Sequence, residues 1–113
     1  MLEATREYKM LLIPIQPVPS QILATMLNGQ NCQLFIRKLG SNLFVDINSN
    51  GVDIVTTVIA RDMVPLVCIE YTGFSGNIIF MDLQGKSDPE YTGLGTRFIL
   101  LYLTQSEYEL AYK

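Results

Sequence analysis

Five aspartates, Asp46, Asp53, Asp62, Asp82 and Asp88, are the side chains of this chain best suited by type to do chemistry. A pair of carboxylates could act as acid and base in a glycosidase-type hydrolysis, and a set of them could hold a hard cation. Asp46 and Asp53 flank the Asn50-Gly51 turn and read as sharing one face of a hairpin. Carboxylates beside turns, however, more commonly bond local backbone and solvate the surface. Histidine is absent, which removes the commonest general acid/base and the base of any Ser-His or Cys-His arrangement. Two cysteines, Cys32 and Cys68, cannot supply a structural zinc set without histidine. No catalytic residue, metal site or cofactor site is expected.

Gly85-Lys86-Ser87 matches the end of a phosphate-binding loop. The full frame needs a further glycine where this chain has Phe80, and no helix signal follows, so the match fails. Arg97 stands where a polar loop meets an apolar strand, near Asp88 and Glu90 in sequence. Its rigid fork reads as tying loop carboxylates or carbonyls in place rather than as a direct partner contact.

The elements that would position these groups are short strands. Asn77–Leu83 and Arg97–Leu103 are β-branched, aromatic and apolar, as a buried pleated surface requires. They flank Gln84–Thr96, a thirteen-residue loop with three glycines and an Asp-Pro step. Loops of that length are uncommon in compact domains and are usually functional or disordered. Tyr91 and Leu94 near its centre make it read as ordered and built to dock.

Upstream, Tyr8–Ile15 opens a strand that stops at Pro14, Pro17 and Pro19, which predict an extended, polyproline-like edge passage. Gln21–Leu27, Cys32–Leu39, Leu43–Asn48, Asp53–Ala60 and Leu66–Tyr71 follow, with turns at Asn28-Gly29, Gly40-Ser-Asn42 and Asn50-Gly51. Cys32, Leu34 and Ile36 should share one face, as should Leu43, Val45 and Ile47. Ser106–Lys113 reads as a short helix capped by Ser106, with Glu109 completing the box. The fold class is therefore all-β: a single antiparallel β-sandwich or small β-barrel with a proline-rich N-terminal arm and a short C-terminal helix. Residues 1–113 read as one domain, with a β core over 10–104 and less constrained tails at 1–9 and 106–113.

Composition narrows the function. Hydrophobic residues make up 49% of the chain and charged residues 17%, against about 25% charged in a typical soluble domain. A small domain leaves roughly a third of its unfolded surface exposed, so thin charge implies neutral or apolar surface and a place within an assembly. The net charge is −3, with no basic cluster beyond Arg37-Lys38, so direct nucleic-acid binding is not expected. Neither a signal peptide nor a membrane span is read in the sequence, and folding in a reducing cytoplasm is the simplest expectation.

Three stretches carry a family resemblance: Ile13-Pro-Ile-Gln-Pro-Val-Pro-Ser-Gln21, Asn50-Gly-Val-Asp-Ile-Val55, and Met81-Asp-Leu-Gln-Gly85 with Asp88-Pro-Glu-Tyr-Thr-Gly-Leu-Gly-Thr-Arg-Phe98. Through them the chain resembles the small baseplate plug proteins of contractile-tailed phages over roughly residues 10–104. The resemblance implies a virion structural protein without enzymatic activity, assembled in the host cytoplasm. It also implies a position on the tail axis between the hub and spike proteins and the tail tube or tape-measure end. A homo-oligomer or ring-associated subunit is expected. By motif position the partner-interface candidates are Asp88, Pro89, Tyr91, Gly93, Gly95 and Arg97, with Pro14, Pro17 and Pro19 as a second contact edge. Two alternatives stand beside this reading. One is a soluble ligand-binding β-barrel with residues 85–95 as a lid; the other is a hydrolase using Asp46, Asp53 or Asp82.

Overall fold

Two Asn-Gly steps and one Gly-Ser step fold the first half of the chain into consecutive hairpins. A computed structural model describes residues 10–67 and 74–113. Within it, β2 (Ser20–Leu27), β3 (Gln30–Leu39), β4 (Asn42–Ser49) and β5 (Val52–Ile59) form one antiparallel sheet in that order. It follows β1 (Leu11–Ile13) in the chain. Asn28-Gly29 and Asn50-Gly51 hold positive φ at both positions (52° and 79°; 52° and 85°), the backbone that a two-residue type I′ turn demands. The expected alternation is present: Cys32, Leu34 and Ile36 on β3 and Leu43, Val45 and Ile47 on β4 are all buried on one face.

The second sheet has the order β1-β7-β6, where β6 is Asn77–Asp82 and β7 is Phe98–Leu103. Ile13, Leu100 and Phe80 lie side by side across it, and Ile78, Tyr102 and Phe98 extend the same inner face. This face packs on that of the first sheet to make the main core. Fully burying each such side chain is worth about 1.5–3 kcal/mol, so the interlayer dominates stability. With the strands in two separate sheets among the described residues, the architecture is a sandwich rather than a closed barrel.

The outer face of the second sheet is apolar too. Ile79, Leu101 and Leu103 lie there beneath α1 (Gln105–Tyr112), whose Tyr108 and Tyr112 pack onto them. The Tyr112 hydroxyl donates to the Met63 carbonyl at 2.6 Å. The C-terminal tail thus docks on its own sheet.

Four sequence expectations change. The helix starts earlier than Ser106: Thr104 is the N-cap and Glu107 closes the capping box, because that phase turns both tyrosines onto the sheet. The first strand is Leu11–Ile13 rather than Tyr8–Ile15, and Tyr8 and Lys9 lie outside the described residues. The proline passage is bent, not straight: Val18 N–H donates to the Gln16 carbonyl at 2.9 Å, and the Gln21 amide bonds both the N–H and the carbonyl of Gln16. Leu66 and Val67 belong to no strand, although Leu66 N–H reaches the Ile78 carbonyl on the edge of β6. The remainder of Leu66–Tyr71, Cys68 included, lies outside the described residues.

Candidate functional site

β6 ends on Asp82 and β7 begins one residue after Arg97, and the register pairs Asp82 with Phe98. Arg97 therefore lies one residue before Asp82's cross-strand partner, close enough for its long side chain to reach back to Asp82. Its Nε and Nη2 donate to Asp82 Oδ1 and Oδ2 at 2.8 and 2.9 Å. The backbone N–H groups of Gln84 and Ser87 donate to the same two oxygens at 2.9 and 2.8 Å. Arg97 Nη2 also reaches Ser87 Oγ at 3.3 Å, and the guanidinium lies 4.9 Å from the Phe98 ring centroid. The Asp82 side chain is 0% exposed and that of Arg97 35%. Paired fork-to-fork, the Arg97 guanidinium holds the Asp82 carboxyl far below the usual carboxylate range, and the two backbone donors act in the same direction. Both ends of the thirteen-residue loop are cinched to one buried carboxylate.

A second carboxylate fixes the middle. Asp88 Oδ1 accepts from Asp62 N–H at 3.1 Å, and Oδ2 lies 3.5 Å from Arg61. Asp62 Oδ1 in turn accepts from the N–H of Asp82 at 2.8 Å. The expectation that Arg97 would tie Asp88 or Glu90 is therefore corrected. The hairpin register brings Arg97 to Asp82, and Asp88 turns toward Arg61 and Asp62.

Beyond Asp88 the loop folds inward. Pro89 is buried, and Tyr91 opens a single 3₁₀ turn, Tyr91–Gly93, while packing half-buried against the main core. Gly93 lies against Phe98: a Cβ there would stand 2.9 Å from the ring. Gly95 has φ +89°, and a Cβ on it would stand 2.7 Å from the Ile15 carbonyl oxygen. Pro14 lines a shallow hollow of about 210 Å³ with Leu12, Ile15, Gly95 and Ile99. Thus Asp88, Pro89, Tyr91, Gly93, Gly95 and Arg97 belong to one folded loop, and Pro14 is its neighbour. Pro17 and Pro19 are exposed farther along, at the bend into β2.

Between Pro89–Thr92 and the β3–β4 turn lies an open hollow of about 280 Å³, lined by Lys38, Ser41 and Leu43 on the turn side. The other carboxylates have local partners. Asp46 pairs with Arg37 at 3.0 Å and accepts from Thr57 N–H at 2.6 Å, and Asp53 accepts from the Asn48 amide at 3.0 Å. Asp82 and Asp62 are the shaping residues that sequence reasoning missed. The pairing of the two flanking strands was the signal for the first, and the second had none.

The fold and the site define a class: an all-β sandwich in which a buried ion pair shapes a long, well-packed loop. Residues 10–106 match a family described as the cyanophage baseplate Pam3 plug gp18. The chain belongs to that family, and is a structural protein of the phage tail baseplate. No curated protein matches the chain.

Proposed function

We propose that this protein closes the centre of the tail baseplate by packing between the hub and spike below and the tube or tape-measure end above. The loop Gln84–Thr96 and the neighbouring proline passage are its contact surface, and the protein performs no catalysis. The observation that carries the reading is the Asp82–Arg97 clamp. A long polar loop is held in one shape by a buried, fully bonded carboxylate, and a preordered loop binds without first losing its own freedom. Lys86, Glu90 and Thr92 are exposed on that loop and available to a partner. A net charge of −3 suits a subunit beside a DNA-carrying channel, because it disfavours phosphate contact. The protein is assembled into the virion from the host cytoplasm as a ring-associated subunit, with threefold or sixfold arrangements natural at a tail axis.

Light scattering on the purified protein with the purified hub protein tests this. A complex is expected, weakened by the surface pair Lys86→Glu and Thr92→Arg, whose side chains carry no part of the clamp. A protein indifferent to the hub would overturn the proposal.

A further inference from the structure

We infer that the free edge of β2 is a pairing surface for a second copy of this chain, joined antiparallel about a twofold axis near Ala24. This goes beyond the baseplate role and does not depend on it. An exposed strand edge is a template for another chain, and folded proteins normally blunt it with charge, proline, a bulge, short length or a covering segment.

Among the described residues, three of the four sheet edges are blunted in those ways. The second sheet's β1 is only three residues long and runs into the prolines. Its β6 is covered, because the N–H groups of Met63 and Leu66 donate to Phe80 and Ile78. On the first sheet, β5 is broken by a register shift opposite Asp46, where Thr57 adopts φ +54° and gives its N–H to the Asp46 carboxylate.

β2 has none of these protections among the described residues. Its sequence, Ser20-Gln-Ile-Leu-Ala-Thr-Met-Leu27, contains no charge and no proline, and all eight residues pair with β3 without a shift. The bond from Lys38 N–H to the Pro19 carbonyl sets the phase of the β2–β3 ladder. Odd-numbered residues of β2 turn their N–H and C=O toward β3, so Ser20, Ile22, Ala24 and Met26 present theirs to the open edge.

The side chains favour a copy of the same strand. Ile22 is 70% and Met26 61% exposed, on the outer face with Ala24 between them. Antiparallel pairing centred on Ala24 sets Ile22 beside Met26 of the second copy on both sides of the axis, with the small Ala24 facing its own copy. Cross-strand apolar pairs of this kind stabilise a sheet, and no like charges meet. The join would make one continuous eight-stranded sheet across the two copies. It is isologous, so it closes at two and does not propagate.

Amide hydrogen exchange by NMR on the full chain, read across a concentration series beside sedimentation equilibrium, tests the inference. Dimerisation is expected, with exchange at the Ile22, Ala24 and Met26 amides slowing at least tenfold as concentration rises. Leu23 and Thr25, already bonded to β3, should not change. Ile22→Lys should leave the monomer folded and abolish both effects. A wild-type protein monomeric up to about 1 mM, the weak end of the affinity scale, would overturn the inference. So would a dimer whose β2 amides do not respond, or protection of those amides by the hub protein alone.

Discussion

Replacing Gly95 with alanine tests whether loop and proline passage form one surface. Two costs are present at this position. The backbone sits at φ +89°, which a residue with a Cβ adopts at a cost of about 1–2 kcal/mol. The new Cβ would also stand 2.7 Å from the Ile15 carbonyl oxygen, so either the loop or the passage must move. Forcing extra volume into such a contact typically costs about 1–3 kcal/mol. Gly29→Ala supplies the control, because Gly29 has φ +79° and nothing within 4 Å of its Cβ position. It carries the backbone cost alone. The expectation is a loss of about 1–2 kcal/mol for Gly29→Ala and about 2–5 kcal/mol for Gly95→Ala. For a domain of this size, with a urea slope of about 1–3 kcal/mol per molar, the midpoints should separate by roughly 1 M. Urea unfolding followed by circular dichroism reads this directly. Equal midpoints for the two variants would refute the close approach of Gly95 to Ile15. If the contact is also part of the partner surface, Gly95→Ala should weaken hub binding while Gly29→Ala should not.

Other perturbations follow from the same geometry. Asp82 has a folded pKa depressed below its unfolded value of about 4. The stability it contributes is therefore present above pH 4 and lost as pH falls through the folded value. Asp82→Asn should lower the urea midpoint at pH 7, and the gap from wild type should narrow progressively below pH 4; a pH-independent gap would contradict the ion pair. Phe80→Ala, at the centre of the interlayer and 0% exposed, should cost about 3–5 kcal/mol by urea unfolding. Thr104→Ala removes the helix cap and should cost about 1 kcal/mol, with exchange protection lost selectively over Gln105–Tyr112. Tyr112→Phe removes the 2.6 Å bond to Met63 and should cost about 1 kcal/mol, measurable as a modest fall in midpoint.

Local chemistry was legible in the sequence, and long-range choices were not. Asn28-Gly29 and Asn50-Gly51 announced their turns because few residue pairs accept consecutive positive φ angles. Alternation on β3 and β4 showed which face is buried. The helix boundary was ambiguous for a physical reason: Thr104-Gln-Ser-Glu107 and Ser106-Glu-Tyr-Glu109 both fit the capping-box pattern. Packing of Tyr108 and Tyr112 on Leu101 and Leu103 selects the first. The bend after Pro14 depends on the Gln21 side chain, which a reading of prolines alone does not reveal. β1 pairs with β7 at the far end of the chain, and no local pattern specifies that partner. Arg97 was read as a tie for the carboxylates or carbonyls of the loop, and it ties Asp82 at the end of β6 instead. Its partner required the register of two strands to be known first.

The clamp also leaves this carboxylate poorly placed for acid–base chemistry. A general acid or base needs a lone pair or proton facing substrate and a pKa near the working pH. Asp82 has neither. An ionised carboxylate offers about four acceptor sites; Asp82 fills them with Arg97 Nε, Arg97 Nη2 and the N–H groups of Gln84 and Ser87. Its depressed pKa keeps it charged at neutral pH and into the acid range. Removing only one member leaves the other charge unpaired, so the pair acts as a unit. Burying a charge is justified here by geometry: one side chain fixes the start, the turn and the end of the loop, while Leu94 and Tyr91 hold its middle to the core. A thirteen-residue loop so constrained keeps one shape, so a partner that bound it would not have to order it first.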